Sequence, residues 1–189
     1  PEESRRKLRM MEQETLRVRK ITRNLLDFSR QRAARMQTGD LLQPLRETVS
    51  QLRIAAVDTM VRIIEDYPES PAIVSMDHDE IKQVFINIMN NALHAMPMGG
   101  ELRVRMDSGR DNDMVVEFSD TGHGIPGVHL GKIFEPFFST KGNGDGTGLG
   151  LPISYRIIQS HGGRIEVESE IGRGSLFRVV LPLERKSMV

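Results

Sequence analysis

The sequence predicts an α/β protein: a two-layer sandwich of one mixed sheet and helices, preceded by one long helix. Three observations lead there. Residues 3–37 contain no Gly or Pro and are rich in Arg, Glu, Leu and Met, which are good helix formers. Beyond Gly39, short runs of alternating apolar and polar residues interleave with longer amphipathic ones, so strands and helices share one body. The two parts also differ in charge. Residues 1–39 hold 11 Lys/Arg against 5 Asp/Glu, and the remainder holds 15 against 21, for a formal net charge of +0.

In chain order, the first helix carries an apolar stripe at Met11, Val18, Ile21, Leu25 and Phe28. Some 35 helical residues would run ~50 Å, longer than a small domain is wide. Such a stripe calls for a bundle or coiled-coil partner, with a surface helix along its own domain as the alternative. Gly39 is expected to end the helix. Residues 44–58 read as an amphipathic helix with Pro44 at its start. "VRIIEDY" and "AIVSM" read as strands around the turn "PESP". Asp77 with Glu80 three residues later is a capping-box pattern, opening a helix that runs to about Met96. "ELRVRMD" and "DMVVEFSD" alternate as a hairpin. After a loop-rich segment, 121–149, comes the helix "LPISYRIIQSHGG", then a last strand pair, "RIEVES" and "GSLFRVVLP".

Composition excludes some functions. The 189 residues suit one ordinary domain with an appendage, enough to bury a core. Zero net charge gives no argument for nucleic acid or a membrane surface as partner. There is no cysteine, hence no disulfide and no thiol chemistry. No apolar run approaches the ~18–20 residues of a membrane span, and no signal peptide is visible. A cytoplasmic location is the expectation for this piece, with membrane anchoring of a longer protein left open. The abrupt start in charged helical sequence suggests a fragment of something longer.

"GNGDGTGLG", 142–150, places glycine at every second position and leads into a helix start. A glycine-rich linker is passive. A glycine-rich loop at a helix N-terminus is an anion site, because N–H groups and dipole both favour phosphate. Alone, the run leaves both open. It is neither a Walker A loop nor a dinucleotide fingerprint. Three further stretches bear on it. "DTGHGIP", 120–126, offers an Asp at a strand end beside tight glycine backbone; a plain Asp turn reads the same way. "IFEPFFSTK", 133–141, concentrates Phe134, Phe137 and Phe138, with core filling as their expected main task. "QVFINIMNNALHAM", 83–96, sets Asn87, Asn91 and His94 on one helical face, beside apolar Val84, Phe85, Ile88, Met89 and Leu93. Asn is poor mid-helix and needs partners. Mg²⁺ carrying phosphates would supply one, and neighbouring backbone would serve equally.

In this order, Asn-x-x-x-Asn-Ala on a helix, Asp-x-Gly-x-Gly, a Phe-rich box and Gly-x-Gly-Leu-Gly-Leu resemble the catalytic ATP-binding domain of sensor histidine kinases. That domain shares its Bergerat-type fold with gyrase, the heat-shock chaperone and mismatch-repair ATPases. "NALHAMPMGG" is similar to the nitrogen-regulator branch, and "VRKITRNLLDFSR", 18–30, resembles the second helix of the dimerisation hairpin. The resemblance covers essentially the whole chain. It implies a hairpin helix at 1–37 and a catalytic domain at 38–189. It implies that Asn91 ligates Mg²⁺, that Asn87 supports the site, and that Asp120 accepts the adenine amino hydrogen. Gly122 and Gly124 would admit the base, with Ile125 against its face and Ser175 nearby. Gly146, Thr147, Gly148, Leu149, Gly150 and Leu151 would form a lid that orders over the phosphates, with Lys141 adding charge. The three Phe would anchor that lid.

The implied reaction is transfer of the ATP γ-phosphoryl group to a His, followed by relay to an Asp of a response regulator, in a kinase that is a homodimer when intact. Two departures stand out. Where many family members have Lys or Arg, this chain has His94, only partly charged near neutrality. No histidine here has an adjacent acid in the helix-hairpin context of a phosphoacceptor. His78 lies between two Asp, His123 inside the adenine motif, His129 in a loop, and His161 at a helix end where a cation suits the dipole. The rivals are an ATP-driven switch ATPase, which would want a water-activating Glu on the Asn helix, and an anti-sigma-type serine kinase. Glu80 lies about two turns too early for the former.

Overall fold

Alternation of apolar side chains decides which way the sheet faces. In β4 (Gly100–Ser108) Leu102, Val104 and Met106 are buried, and in β5 (Asp113–Asp120) Met114, Val116, Phe118 and Asp120 are. β7 (Gly174–Pro182) buries Ser175, Phe177, Val179 and Leu181 in the same phase. The computed structural model describes residues 3–8, 10–12, 15, 18–19, 22, 34–56, 59–109, 112–140 and 147–183. Among these, five strands form one mixed sheet in the order β2-β4-β5-β7-β6, with β2 (Val61–Asp66) and β6 (Arg164–Glu170) at its edges. β2 runs parallel to β4, and the other neighbours pair antiparallel.

The helices α1 (Leu42–Ala56), α2 (His78–Ala95) and α4 (Gly150–Ser160) supply the second layer. α2 packs against both α1 and α4. Its fully buried Phe85 lies with its ring centroid 5.5 Å from that of Phe118 on β5. Burying a side chain of that size is worth about 1.5–3 kcal/mol. The opposite face of the sheet is a lattice of ion pairs. Arg178 bonds Glu117 at 2.9 Å and also Glu168, and Arg105 bonds Asp107 at 2.7 Å. That face is solvated, so the core lies between the sheet and the three helices.

The expected two-layer α/β sandwich is present, and its element boundaries move by a residue or two. α1 begins at Leu42, with Pro44 inside its first turn. Asp77 caps α2 as its sequence context implies, accepting from the N–H groups of Asp79 and Glu80 at 3.1 and 3.2 Å. Gly39 departs from expectation. It does not end the long helix but sits within β1 (Gln37–Asp40), opposite Val74 of β3 (Ile73–Met76). Asp40 fixes that corner, its Oδ1 accepting from Leu42 N and Ala72 N at 3.1 and 3.0 Å. The described residues among 3–22 are helical and exposed, Met11 and Val18 of the stripe included. Ile21, Leu25 and Phe28 lie outside the described residues.

Candidate functional site

The strand phase that buries Phe118 also turns Asp120, two residues on, inward at the end of β5. Asp120 is 5% exposed. Oδ1 accepts the Gly122 N–H at 2.8 Å, and the Ser175 N–H of the neighbouring strand also bonds the carboxylate. Burial nevertheless raises its pKa above the ordinary carboxylate range, more than those bonds lower it. The surrounding glycines are there for space. A Cβ on Gly122 would stand 2.6 Å from the Ala95 carbonyl oxygen, and one on Gly124 (φ +71) 2.1 Å from that of Glu170. Gly174 (φ +99) is as constrained: its Cβ would lie 1.9 Å from the Asp120 carbonyl oxygen.

α2 forms the facing wall. Asn87 donates through Nδ2 to the Gly150 carbonyl and to Ser154 Oγ, both at 3.1 Å. It therefore ties α2 to the first turn of α4. Asn91, one turn further on, lines the cavity between α2 and the sheet. His94 follows on the rim, exposed, its Nδ1 2.5 Å from the Asn90 carbonyl. The cavity holds about 460 Å³, within the ~300–1,000 Å³ usual for small-molecule sites. α4 opens onto it. Its N-cap, Leu149, makes no side-chain capping bond, so the first N–H groups of α4 have no side-chain cap.

Backbone geometry, more than aromatic packing, holds the approach to α4. Phe137 is 64% exposed with φ 67, and its N–H donates to the Gly148 carbonyl at 2.9 Å. Expected core filling does not apply to it: its backbone is pinned while its ring faces solvent. Phe134 and Phe138 do pack on the core, with ring contacts to Tyr155 and His129. Gly148 (φ +65) is required, because a Cβ would stand 2.4 Å from the Phe137 carbonyl carbon. Gly150 is not, since its Cβ would meet Asn87 at 3.6 Å.

The structure gathers Asn87, Asn91, His94, Asp120, Gly124 and Ile125 around one cavity with Thr147, Gly148, Gly150, Leu151 and Ser175. Leu149 instead points into the core, fully buried, and Gly122 lies behind Asp120. Lys141 and, of the expected lid, Gly146 lie outside the described residues. Reasoning from sequence missed Ser169 and Gly174. Ser169 Oγ accepts the Ile125 N–H at 2.7 Å and donates to the Gly174 carbonyl at 2.8 Å. Its signal was its place as the third inward position of β6, after Ile165 and Val167.

Two histidines, His161 and His129, settle differently from expectation. His161 is not a dipole-facing cation. It is 5% exposed, Nε2 accepts the Asp77 N–H at 2.9 Å, and Nδ1 donates to the Ile157 carbonyl at 2.7 Å, which makes it a neutral clamp. His78 is half-buried, 3.5 Å from Glu47. His129 belongs to a short helix, α3 (Gly127–Leu130). Glu80, at the first turn of α2, is absent from the cavity lining.

The family described as histidine kinase-, DNA gyrase B-, and HSP90-like ATPase matches residues 76–185. The chain belongs to this ATPase family. Within it, sporulation kinase C of Bacillus subtilis (strain 168) is 36% identical over 175 residues, 92% of this chain and 40% of that kinase. The solved catalytic domain of histidine kinase ThkA, nucleotide-free, is 30% identical with TM-score 0.70, covering 78% of this chain and 97% of that one. Histidine kinase ThkA in complex with response regulator protein TrrA matches with TM-score 0.77 and 26% identity, over 94% of this chain and 51% of that one. The sandwich described above is thus the fold of the histidine kinase catalytic domains in this ATPase family. Among the described residues no helix is long and apolar enough to cross a membrane.

Proposed function

We propose that this chain is the ATP-binding catalytic part of a sensor histidine kinase, with 1–37 a dimerisation-hairpin helix and 38–189 the catalytic domain. The observation that carries this reading is one cavity bounded by three unlike walls: the buried acceptor Asp120, the Asn face of α2, and the side-chain-uncapped start of α4. A purine amino group suits the first. Phosphates suit the last, where aligned N–H groups and the helix dipole favour negative charge. Gly124 and Gly148, which also line this cavity, pack against the backbone of Glu170 and Phe137 too closely to carry a side chain.

In this reading Asp120 accepts the adenine amino hydrogen and Ile125 packs on the ring. The first turn of α4, Thr147 and Gly148 hold the phosphates, with Lys141 and Gly146 beside them. Asn91 would hold Mg²⁺ through its amide oxygen, and the ion would supply positive charge to offset that of the phosphates. Asn87 keeps α2 and α4 in register. A His imidazole nitrogen of an acceptor hairpin attacks Pγ in line. The N–P bond forms, the bond from Pγ to the bridging oxygen breaks, and ADP leaves with that electron pair. The imidazole gives up its proton to a base on the acceptor segment. Catalysis is positioning and charge neutralisation. A homodimer and a receiver domain that takes the phosphoryl group onto Asp complete the proposal.

Of the chain's own histidines, His161 suits the acceptor role poorly, since both its ring nitrogens are engaged. Glu80 lies away from the cavity, which disfavours water activation and hence the switch-ATPase reading. Incubation with γ-labelled ATP and Mg²⁺ tests this. The chain alone should take up no acid-labile label, and an added polypeptide bearing a His-acid hairpin helix should become labelled on His. Acid-stable label on Ser, free phosphate without transfer, or stoichiometric acid-labile label on this chain would each overturn the proposal.

A further inference from the structure

We infer that Ser169 is a positioning residue for base selection: its hydroxyl fixes that of Ser175 as an acceptor toward the cavity, beside Asp120. The inference rests on reading the cavity as a nucleotide-base pocket. Three adjacent strands, β5, β7 and β6, end in one polar row, with Asp120 opposite Ser175 and Ser175 opposite Ser169. Behind it on the same face lie apolar rows, Phe118, Phe177 and Val167, then Val116, Val179 and Ile165. The polarity is confined to the end that meets the cavity.

Proton counting sets the direction of each bond. A serine hydroxyl has one proton and two lone pairs. Ser169 spends its proton on the Gly174 carbonyl at 2.8 Å and accepts the Ile125 N–H at 2.7 Å. Ser175 Oγ stands 3.0 Å away. With the Ser169 proton committed, that bond forms only if Ser175 donates. Ser175 is 7% exposed and lines the cavity, so what it presents there is lone pairs. Next to it, the carboxylate of Asp120 also accepts. The pocket floor is therefore a pair of acceptors. An adenine amino group brings two N–H donors to them. A guanine places a carbonyl oxygen there and meets repulsion, which is discrimination by an unfavourable contact as well as a favourable one.

The competing explanation is that Ser169 only ties the 121–126 loop to the β6–β7 turn. Loosening that tie would weaken ATP and GTP binding by the same factor. The ratio of the two dissociation constants separates the ideas. It is measured by calorimetric titration of the full chain with ATP and GTP in Mg²⁺. Ser169→Ala frees the Ser175 proton to point into the pocket, so the GTP/ATP ratio should fall by roughly five- to tenfold, the scale of one net hydrogen bond. Ser169→Thr, which keeps the hydroxyl, should hold the wild-type ratio. Ser175→Ala removes the acceptor while leaving the Ser169 bonds to Ile125 and Gly174, and should narrow the ratio similarly even if Ser169→Ala fails to fold. An unchanged ratio in Ser175→Ala, or a loss in Ser169→Ala equal for both nucleotides, overturns the inference and leaves the kinase reading standing. A wild-type chain that binds neither nucleotide overturns both.

Discussion

Replacing Asp120 by Asn should make the nucleotide-free protein no less stable while crippling its grip on ATP. Asp120 is 5% exposed, and burial raises its pKa beyond what the bonds from Gly122 and Ser175 lower it. Folding therefore tightens proton binding at this group. Between the ordinary carboxylate range and the raised folded value, the native state holds more of the proton than the unfolded chain does. Stability must then decline as pH rises through that interval. The penalty is absent below the unfolded pKa and fully present above the folded one.

Asn carries no charge to desolvate, and its Oδ1 can still accept the Gly122 N–H. Nucleotide binding moves the other way. A hydrogen bond to a charged acceptor is worth about 1.5–3 kcal/mol, so losing it should weaken ATP binding by about 10- to 150-fold. Denaturant titrations of variant and wild type, paired at each pH from about 4 to 8, isolate Asp120 from other titrating groups. The variant's relative advantage should be greatest near neutrality and shrink on acidification. Calorimetry with ATP supplies the second arm. A variant destabilised by more than about 1 kcal/mol near neutral pH, relative to the typical size of single mutations, would refute the reasoning. So would a pH-independent difference, or unchanged ATP affinity.

Gly174→Ala should lower the melting temperature sharply, because its Cβ would lie 1.9 Å from a backbone oxygen at φ +99, whereas Gly127→Ala, with nothing within 4 Å, should be silent. The strain at Gly174 alone is on the order of 1–3 kcal/mol. Asn87→Asp replaces a donor facing the Gly150 carbonyl with an acceptor; it should cost about 1–3 kcal/mol of stability and weaken ATP binding, measured by thermal shift with and without nucleotide. His161→Ala strips the Asp77 N–H of its acceptor at the α2 cap and should cost a further ~1–3 kcal/mol, read by chemical denaturation.

What was legible in the sequence was local. The Asp77 N-cap and the alternation that faces Asp120 inward are set by near neighbours, and both hold, whereas the Glu80 half of the box does not form because the Asp77 N–H donates to His161. The Asn face of α2 follows from helical spacing and lines the cavity. What escaped depends on partners far along the chain. Gly39 looks like a helix stop in any short window, and its strand exists only because Val74 pairs with it. His161 looks like a helix-end cation until an N–H 84 positions away is found donating to it. Phe137 reads as core, yet its backbone does the holding. Ser169 is an ordinary strand polar residue until β7 brings Ser175 alongside.

One strand outside the main sheet has a topological consequence. Val74 in β3 has Gly39 of β1 on one flank and Leu183 bridged on the other. Adjacent strands lie ~4.8 Å apart, so the thread entering the sandwich at 39 and the thread leaving it at 183 pass about 10 Å from each other. The body between them is in effect a closed loop with a narrow neck. It could be spliced into an exposed turn of a host protein, or its ends joined by a short linker and new ends cut elsewhere, without stretching the fold. The same neck makes β3 a common abutment: a load on either thread reaches the strand that runs directly into the Asp77 cap and so into the helix bearing Asn87 and Asn91.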